Sequence, residues 1–156
     1  MTLAWTDPTS AVSTSTVDGI FPRGMSAVDT YHMQLGSSGS GPVTLDLEFD
    51  SSVTDVRFSV LDVDRSAGTA WRDEIEVQAQ LGTDPFFDGV GSPGANVDTV
   101  VTNRTYRGRT STSNDETLAD VGFVFDGPID RVRIIYRRAA GTSSQGIGLG
   151  NVEACV

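Results

Sequence analysis

The chain has no lysine, one histidine and one cysteine among its 156 residues, and each scarcity removes a class of chemistry. With 16 Asp and 5 Glu against 11 Arg, the formal charge is −10, which argues against binding nucleic acid or an anionic membrane through bulk charge. The single cysteine, Cys155, excludes an intrachain disulfide but leaves the compartment open, because extracellular bacterial modules can do without bridges. Cys155 and His32 together are too few nitrogen and sulfur ligands for zinc. Any Ser-His-Asp or Cys-His arrangement has to use His32, and no Gly-x-Ser-x-Gly elbow, phosphate loop or dinucleotide fingerprint accompanies it. No stretch approaches the roughly 18 apolar residues of a membrane span, so membrane insertion is not expected. The N-terminal Met1-Thr-Leu-Ala-Trp-Thr-Asp has no basic and apolar targeting segment, and the expectation is a module of a longer secreted chain.

Helical periodicity is also missing: no segment of ten or more residues shows it. What is present is alternation. Val43 to Phe49, Val56 to Val60 and Ile75 to Leu81 are apolar at every second residue, the mark of strands with one buried face. Val28 to Leu35, Val97 to Val101, Arg104 to Arg107 and the Gly-rich 146–152 read as further strands. Asp50-Ser-Ser reads as a turn, 82–94 as a long loop and Gly36 to Gly41 as a flexible turn. Asp126-Gly127-Pro128, between Val121–Phe125 and Arg131–Tyr136, reads as a hairpin. Many short strands with Gly/Pro turns and no helix predict an all-β fold, an antiparallel β-sandwich of jelly-roll type, over one domain spanning 1–156. Its expected core is Val56, Phe58, Val60, Ile75, Val77, Phe123, Phe125, Val132, Ile134 and Tyr136.

The residues richest in chemistry lie between two of these strands. Asp62, Asp64, Ser66 and Asp73 fall at positions 1, 3, 5 and 12 of a calcium-loop spacing. Two positions depart from that pattern: Ala67 stands where the turn glycine belongs, and position 12 is Asp instead of Glu. The flanks are strands, so a helix-loop-helix sensor is excluded and a fixed cation clamp is the functional reading. The plain alternative is a solvated acidic turn, since Asp favours turns.

The order of features resembles calcium-binding β-sandwich modules of bacterial secreted and surface proteins, of adhesin and carbohydrate-binding type. That order runs from Leu61-Asp-Val-Asp through Trp71-Arg-Asp and Phe125-Asp-Gly-Pro to Gly146-Ile-Gly-Leu-Gly-Asn, within residues 43–153. The resemblance implies a bound Ca2+, with Asp62, Asp64 and Asp73 as carboxylate ligands and Asn151 as a looser candidate, and a role in binding or display at the cell surface or outside the cell.

Sugar recognition uses flat aromatic faces beside hydrogen-bonding groups, which makes Trp71, Phe86, Phe87 and Tyr106 candidate ligand contacts; Trp71 serves equally well as a plug over the sandwich end. Arg131 and Arg133 share one strand face, and Arg104, Arg107 and Arg109 cluster. They suit an acidic polysaccharide or, alternatively, cross-strand pairs with Asp46, Glu48, Glu74 or Glu76. Three functions follow in descending order: an extracellular module binding a glycan or cell-surface ligand, a structural spacer of a larger surface protein, and a glycan-active enzyme, which needs only two facing carboxylates. The first is non-catalytic.

Overall fold

The computed structural model describes residues 1–6, 12–23, 26–35, 42–68, 70–100, 104–112, 117–141, 143 and 145–156; at 3, 5, 12–23 and 26–35 it describes the backbone alone. Apart from a 3-10 turn at Thr117–Ala119, its regular structure is strand. In chain order these are β1 (Thr2–Thr6), β2 (Val12–Arg23), β3 (Ser26–Leu35), β4 (Val43–Leu61), β5 (Trp71–Gln80), β6 (Phe87–Asp88), β7 (Gly91–Pro93), β8 (Val97–Val100), β9 (Thr105–Gly108), β10 (Val121–Phe125), β11 (Ile129–Gly141), β12 (Gln145–Leu149) and β13 (Glu153–Cys155). The all-β antiparallel sandwich expected from the alternation is the observed fold.

β4 belongs to both layers. Its first half pairs with β1 and β11, and the first sheet continues through β5 and β9 to β8. Its second half pairs with β10, β12 and β13, and the second sheet adds β7 beside β10 and β3 and β2 beyond β12. The chain stays extended through Asp50-Ser51-Ser52, where the sequence predicted a turn. Something must nevertheless switch the buried face, because Val43, Leu45, Leu47 and Val53 are buried at odd positions and Val56, Phe58 and Val60 at even ones. The change of parity falls at Asp55, whose φ of 49° introduces the irregularity of a bulge.

The predicted hairpin around Asp126-Gly127-Pro128 is also corrected. β10 pairs with β4 and β7 in the second sheet, whereas β11 pairs with β4 and β5 in the first. Gly127 and Pro128 therefore turn the chain from one layer to the other. Both flanking strands alternate, and local pattern cannot distinguish a partner beside from a partner opposite. The predicted loop 82–94 carries the short strands β6 and β7, and the expected strand 28–35 lies within β3. Gly36 to Gly41 and the side chains of Tyr31 and His32 lie outside the described residues.

All ten predicted core residues are buried, joined by Val43, Leu45, Leu47, Ala79, Val121, Ile129 and Ile147. At the centre Phe123 stacks on Phe58 with ring centroids 5.5 Å apart and packs edge-to-face with Tyr106 at 5.5 Å. Replacing Phe123 by Ala removes both ring contacts and leaves a cavity, so Phe123→Ala is expected to cost about 3–5 kcal/mol in chemical denaturation; a loss below about 1 kcal/mol would contradict this core.

Candidate functional site

The segment between β4 and β5 carries the chain from the second sheet to the first. Its entry is tied to the 3-10 turn: Asp62 N–H donates to Asp120 Oδ1 at 3.3 Å and Val63 N–H to Ala119 O at 2.8 Å. Its two sides then close on one another, with Asp73 N–H donating to Asp64 O at 2.9 Å and Asp64 N–H to Asp73 Oδ2 at 3.3 Å. Ser66 caps the tip, its Oγ accepting Ala70 N–H at 2.9 Å and Trp71 N–H at 3.3 Å. Two glycines let neighbouring strands lie directly against this segment. A Cβ at Gly108 would stand 2.0 Å from Asp64 O, and one at Gly141, where φ is +82°, would stand 2.0 Å from Ala70 O.

The segment leads two carboxyl groups out of water. Asp73 is 0% exposed; its Oδ1 accepts Tyr136 Oη–H and Gln145 Nε2–H, each at 2.7 Å. Arg138 Nε donates to Gln145 Oε1 at 3.1 Å, which orients the amide. Asp64 is 2% exposed; its Oδ2 accepts Thr112 N–H at 2.9 Å and Thr112 Oγ1–H at 3.0 Å, while Oδ1 is buried with no donor. Burial dominates both acidities. It pushes Asp64 up to about 6, against the lowering pull of the Thr112 hydrogen bonds. Asp73 is raised well above the ordinary carboxylate value by its burial, with the charges of Asp64 and Asp62 adding to the rise. Tyr136 is also raised, by burial and by the carboxylate of Asp73.

The structure thus brings Asp64 and Asp73 together, with Asp62 close enough to act on Asp73 through its charge. Ser66 turns its hydroxyl into its own loop, and Asn151 lines a groove on the outer face of the second sheet together with Leu61 and Asp120. Calcium takes about six to eight oxygens. Here N–H and O–H donors meet Asp64 Oδ2 and both oxygens of Asp73, so Asp64 Oδ1 is the one open acceptor of this buried pair. Among the described residues no group of three or more His, Cys, Asp or Glu side chains is gathered to hold a metal ion.

The aromatic candidates disperse. Tyr106 is 1% exposed and hydrogen-bonds Gly91 through its hydroxyl, which makes it a core residue instead of the surface contact expected. Phe86 lies under the Arg133 guanidinium, 4.3 Å from ring centroid to Cζ, and Phe87 is exposed and packs edge-to-face with Phe125 at 6.2 Å. Trp71 is half-buried at the start of β5. The arginines pair across strands: Arg131 with Glu48 at 2.7 Å, Arg133 with Asp46 at 2.8 Å, Arg137 with Glu76 at 3.2 Å, and Arg107 with Glu74.

A feature that sequence reasoning missed is a groove of about 670 Å³ on the outer face of the second sheet. Its floor is a row of small residues, because register sets Ser59 of β4 opposite Gly122 of β10, and Gly122 opposite Ser92 of β7. Gly150 extends the row by donating its N–H to Ser59 O at 2.9 Å. Arg57, with Val124 on one side and Glu153 on the other, forms the adjoining row. Thr117, Asp120 and Asn151 add to the polar lining, and Leu61 and Val124 to the apolar one. The alternation that buries Phe58 and Phe123 turns Arg57, Ser59 and Gly122 outward, and that signal was readable; which outward residues share a row depends on strand register.

The raised acidities make stability depend on pH in a stated direction. A carboxyl whose folded value lies above its unfolded one binds more protons when folded, so stability falls as pH rises between the two. For Asp64 the fall spans the interval from 3.8 to about 6, and Asp73, whose value is also raised, carries it further. Asn at 64 mimics the neutral acid. Melting temperature measured from pH 4 to pH 8 is expected to fall less in Asp64→Asn than in the parent; parallel curves would contradict the buried-acid description.

No protein-family model matches the chain, and no curated protein does. Among solved structures, it is similar to a carbohydrate-binding module of the β-sandwich superfamily, from work on the promiscuous specificity of such modules. The two share 9% identity and a TM-score of 0.50 over 99% of this chain and 57% of that one, so this chain spans little more than half of it. TmCBM61 in complex with β-1,4-galactotriose aligns at 11% identity and a TM-score of 0.42, over 97% and 86% of the two chains. The catalytic domain of a GH87 α-1,3-glucanase in complex with tetrasaccharides aligns at 11% and 0.35, over 97% and 28%. At such identities the likeness is one of fold: the chain folds as a β-sandwich of the kind that carbohydrate-binding modules use.

Proposed function

We propose that this chain is a non-catalytic carbohydrate-binding module of an extracellular or cell-surface protein, one domain of a longer secreted chain, and that the groove on its second sheet receives the glycan. The groove carries the reading. It is about 670 Å³, within the usual range for ligand sites, and it combines a floor of Gly122, Ser59 and Ser92 with the hydrogen-bonding side chains of Arg57, Asp120, Asn151 and Glu153. A low floor admits a sugar ring, the polar side chains match its hydroxyls, and the exposed Val124 beside them offers apolar surface to its C–H face. The fold shared with a carbohydrate-binding module of the β-sandwich superfamily supports the same reading.

Gly122 provides the test. A Cβ there meets Ser59 Oγ at 3.8 Å and Ser92 O at 4.0 Å, ordinary contacts, so a larger side chain fits the fold and fills the groove. Glycan-array screening followed by titration of the best ligand is expected to show binding without release of reducing ends. Gly122→Leu should weaken that binding about tenfold or more, about 1.4 kcal/mol, at an unchanged melting temperature. Binding of no glycan would leave a structural spacer module; undiminished binding by Gly122→Leu would move the site elsewhere.

A second reading concerns Ca2+ at the segment 62–73, and the unpartnered Asp64 Oδ1 favours it. A cation there would keep Asp64 and Asp73 ionised and offset the cost of burying their charge. Binding to the folded state stabilises by mass action, so calcium at pH 7.5 is expected to raise the melting temperature of the parent, chelator to reverse the gain, and Asp64→Asn to lose most of it. Indifference of the parent to both additions would remove calcium from the description.

A further inference from the structure

We infer that the groove holds an internal stretch of a linear, extended glycan, about three sugar units long, lying across the strands; this rests on the groove being the glycan site. Strand register gives the groove an axis. Its floor takes one residue from each neighbouring strand: Ser92 of β7 stands opposite Gly122 of β10, and Gly122 opposite Ser59 of β4. Gly150 continues β12 past the Leu149–Val60 pair and bonds Ser59 O from the other side. Residues paired in this way line up at right angles to the strands. At about 4.8 Å between strands, the four positions span about 14 Å. A pyranose unit of an extended chain advances by roughly one strand spacing, so about three units cover the floor.

The sides and ends of the floor differ. Alternation along β4 sets Arg57 and Leu61 on the same face as Ser59, one on each side and about 7 Å away along the strand, so walls run parallel to the row. Val124, opposite Arg57, prolongs the first wall onto β10. That width suits a single chain and excludes one branched at the bound units. The ends carry no such barrier. Among the described residues β7 pairs with β10 alone, so the row runs out at a sheet edge, where Ser92 is exposed. Beyond Gly150, Asn151 and Glu153 are exposed as well. A chain can therefore pass through without presenting a terminus, whereas a helically coiled chain curves off a straight floor.

The test is calorimetric titration of the full chain with oligomers of one to six units: extended β-1,4-linked glucose, coiled α-1,4-linked glucose, and the glycan that binds best on the array. For the best-binding series, affinity is expected to rise about tenfold or more between one and three units and to change less than about twofold from four to six. Hexamers with both terminal units chemically modified should bind as well as free ones, and the β-linked series should exceed the α-linked one. Ser92→Leu puts bulk at the outer end of the floor, so in that variant two- and three-unit oligomers should bind alike. Full affinity for a single unit, loss of binding on modifying the ends, preference for the coiled series, or an undiminished gain from the third unit in folded Ser92→Leu each overturns the inference while the glycan module stands. Undiminished binding of every length by Gly122→Leu, or binding of no glycan at all, removes the groove reading and this inference with it.

Discussion

The carboxyl group of Asp73 is the constraint on which the sheet crossing depends. It lies wholly inside the sandwich, where the chain passes from one layer to the other, and an acid in that position is tolerated only if its oxygens find donors. Tyr136 from β11, Gln145 from β12 and the backbone of Asp64 supply them, so one side chain joins both sheets and the crossing segment. Arg138 holds Gln145 from outside, and Thr112 holds Asp64. The network contains no cation among these direct partners of the two carboxyls, which is why burial raises both acidities instead of an ion pair lowering them.

That crossing also shapes the groove. Asp62 and Val63 anchor to Asp120 and Ala119, and Asp120 is a wall of the groove, so the acidic segment and the proposed glycan surface share a seam of hydrogen bonds from the Asp62 and Val63 N–H groups. The floor depends on a different device, the change of parity near Asp55 within β4. Without it, Arg57 and Ser59 would face the core and Phe58 the solvent, because a shift of one residue inverts every side chain along a strand. One irregular residue therefore decides both which aromatic rings pack in the centre and which polar side chains line the outer face.

The alternating segments were legible as strands, and their inward residues as core, because period-two burial is local: Val56, Phe58, Val60, Ile75, Val77, Val132 and Ile134 need only the pleat to point inward. The acidic cluster was legible as a place where carboxylates meet, since the spacing of Asp64 and Asp73 across a short loop returns one beside the other. Their surroundings were not. Tyr136 and Gln145 lie 63 and 72 residues from Asp73 along the chain, and nothing in their own neighbourhoods marks them as its partners. Tyr106 looked like a surface ring on a short strand, yet its hydroxyl finds Gly91 and its ring finds Phe123.

Composition and local pattern by themselves determined an all-β chain with a strongly acidic composition, one cysteine and one histidine. Only the tertiary structure decided which layer each strand joins, as the Asp126-Gly127-Pro128 turn shows by linking sheets instead of closing a hairpin. It likewise decided that Ser59, Gly122 and Ser92 stand in one row and leave a groove. The physical reason is that a strand's alternation encodes which face is buried, whereas its neighbours are chosen by hydrogen-bond register over long sequence distances, where many pairings satisfy the same local pattern and packing selects one.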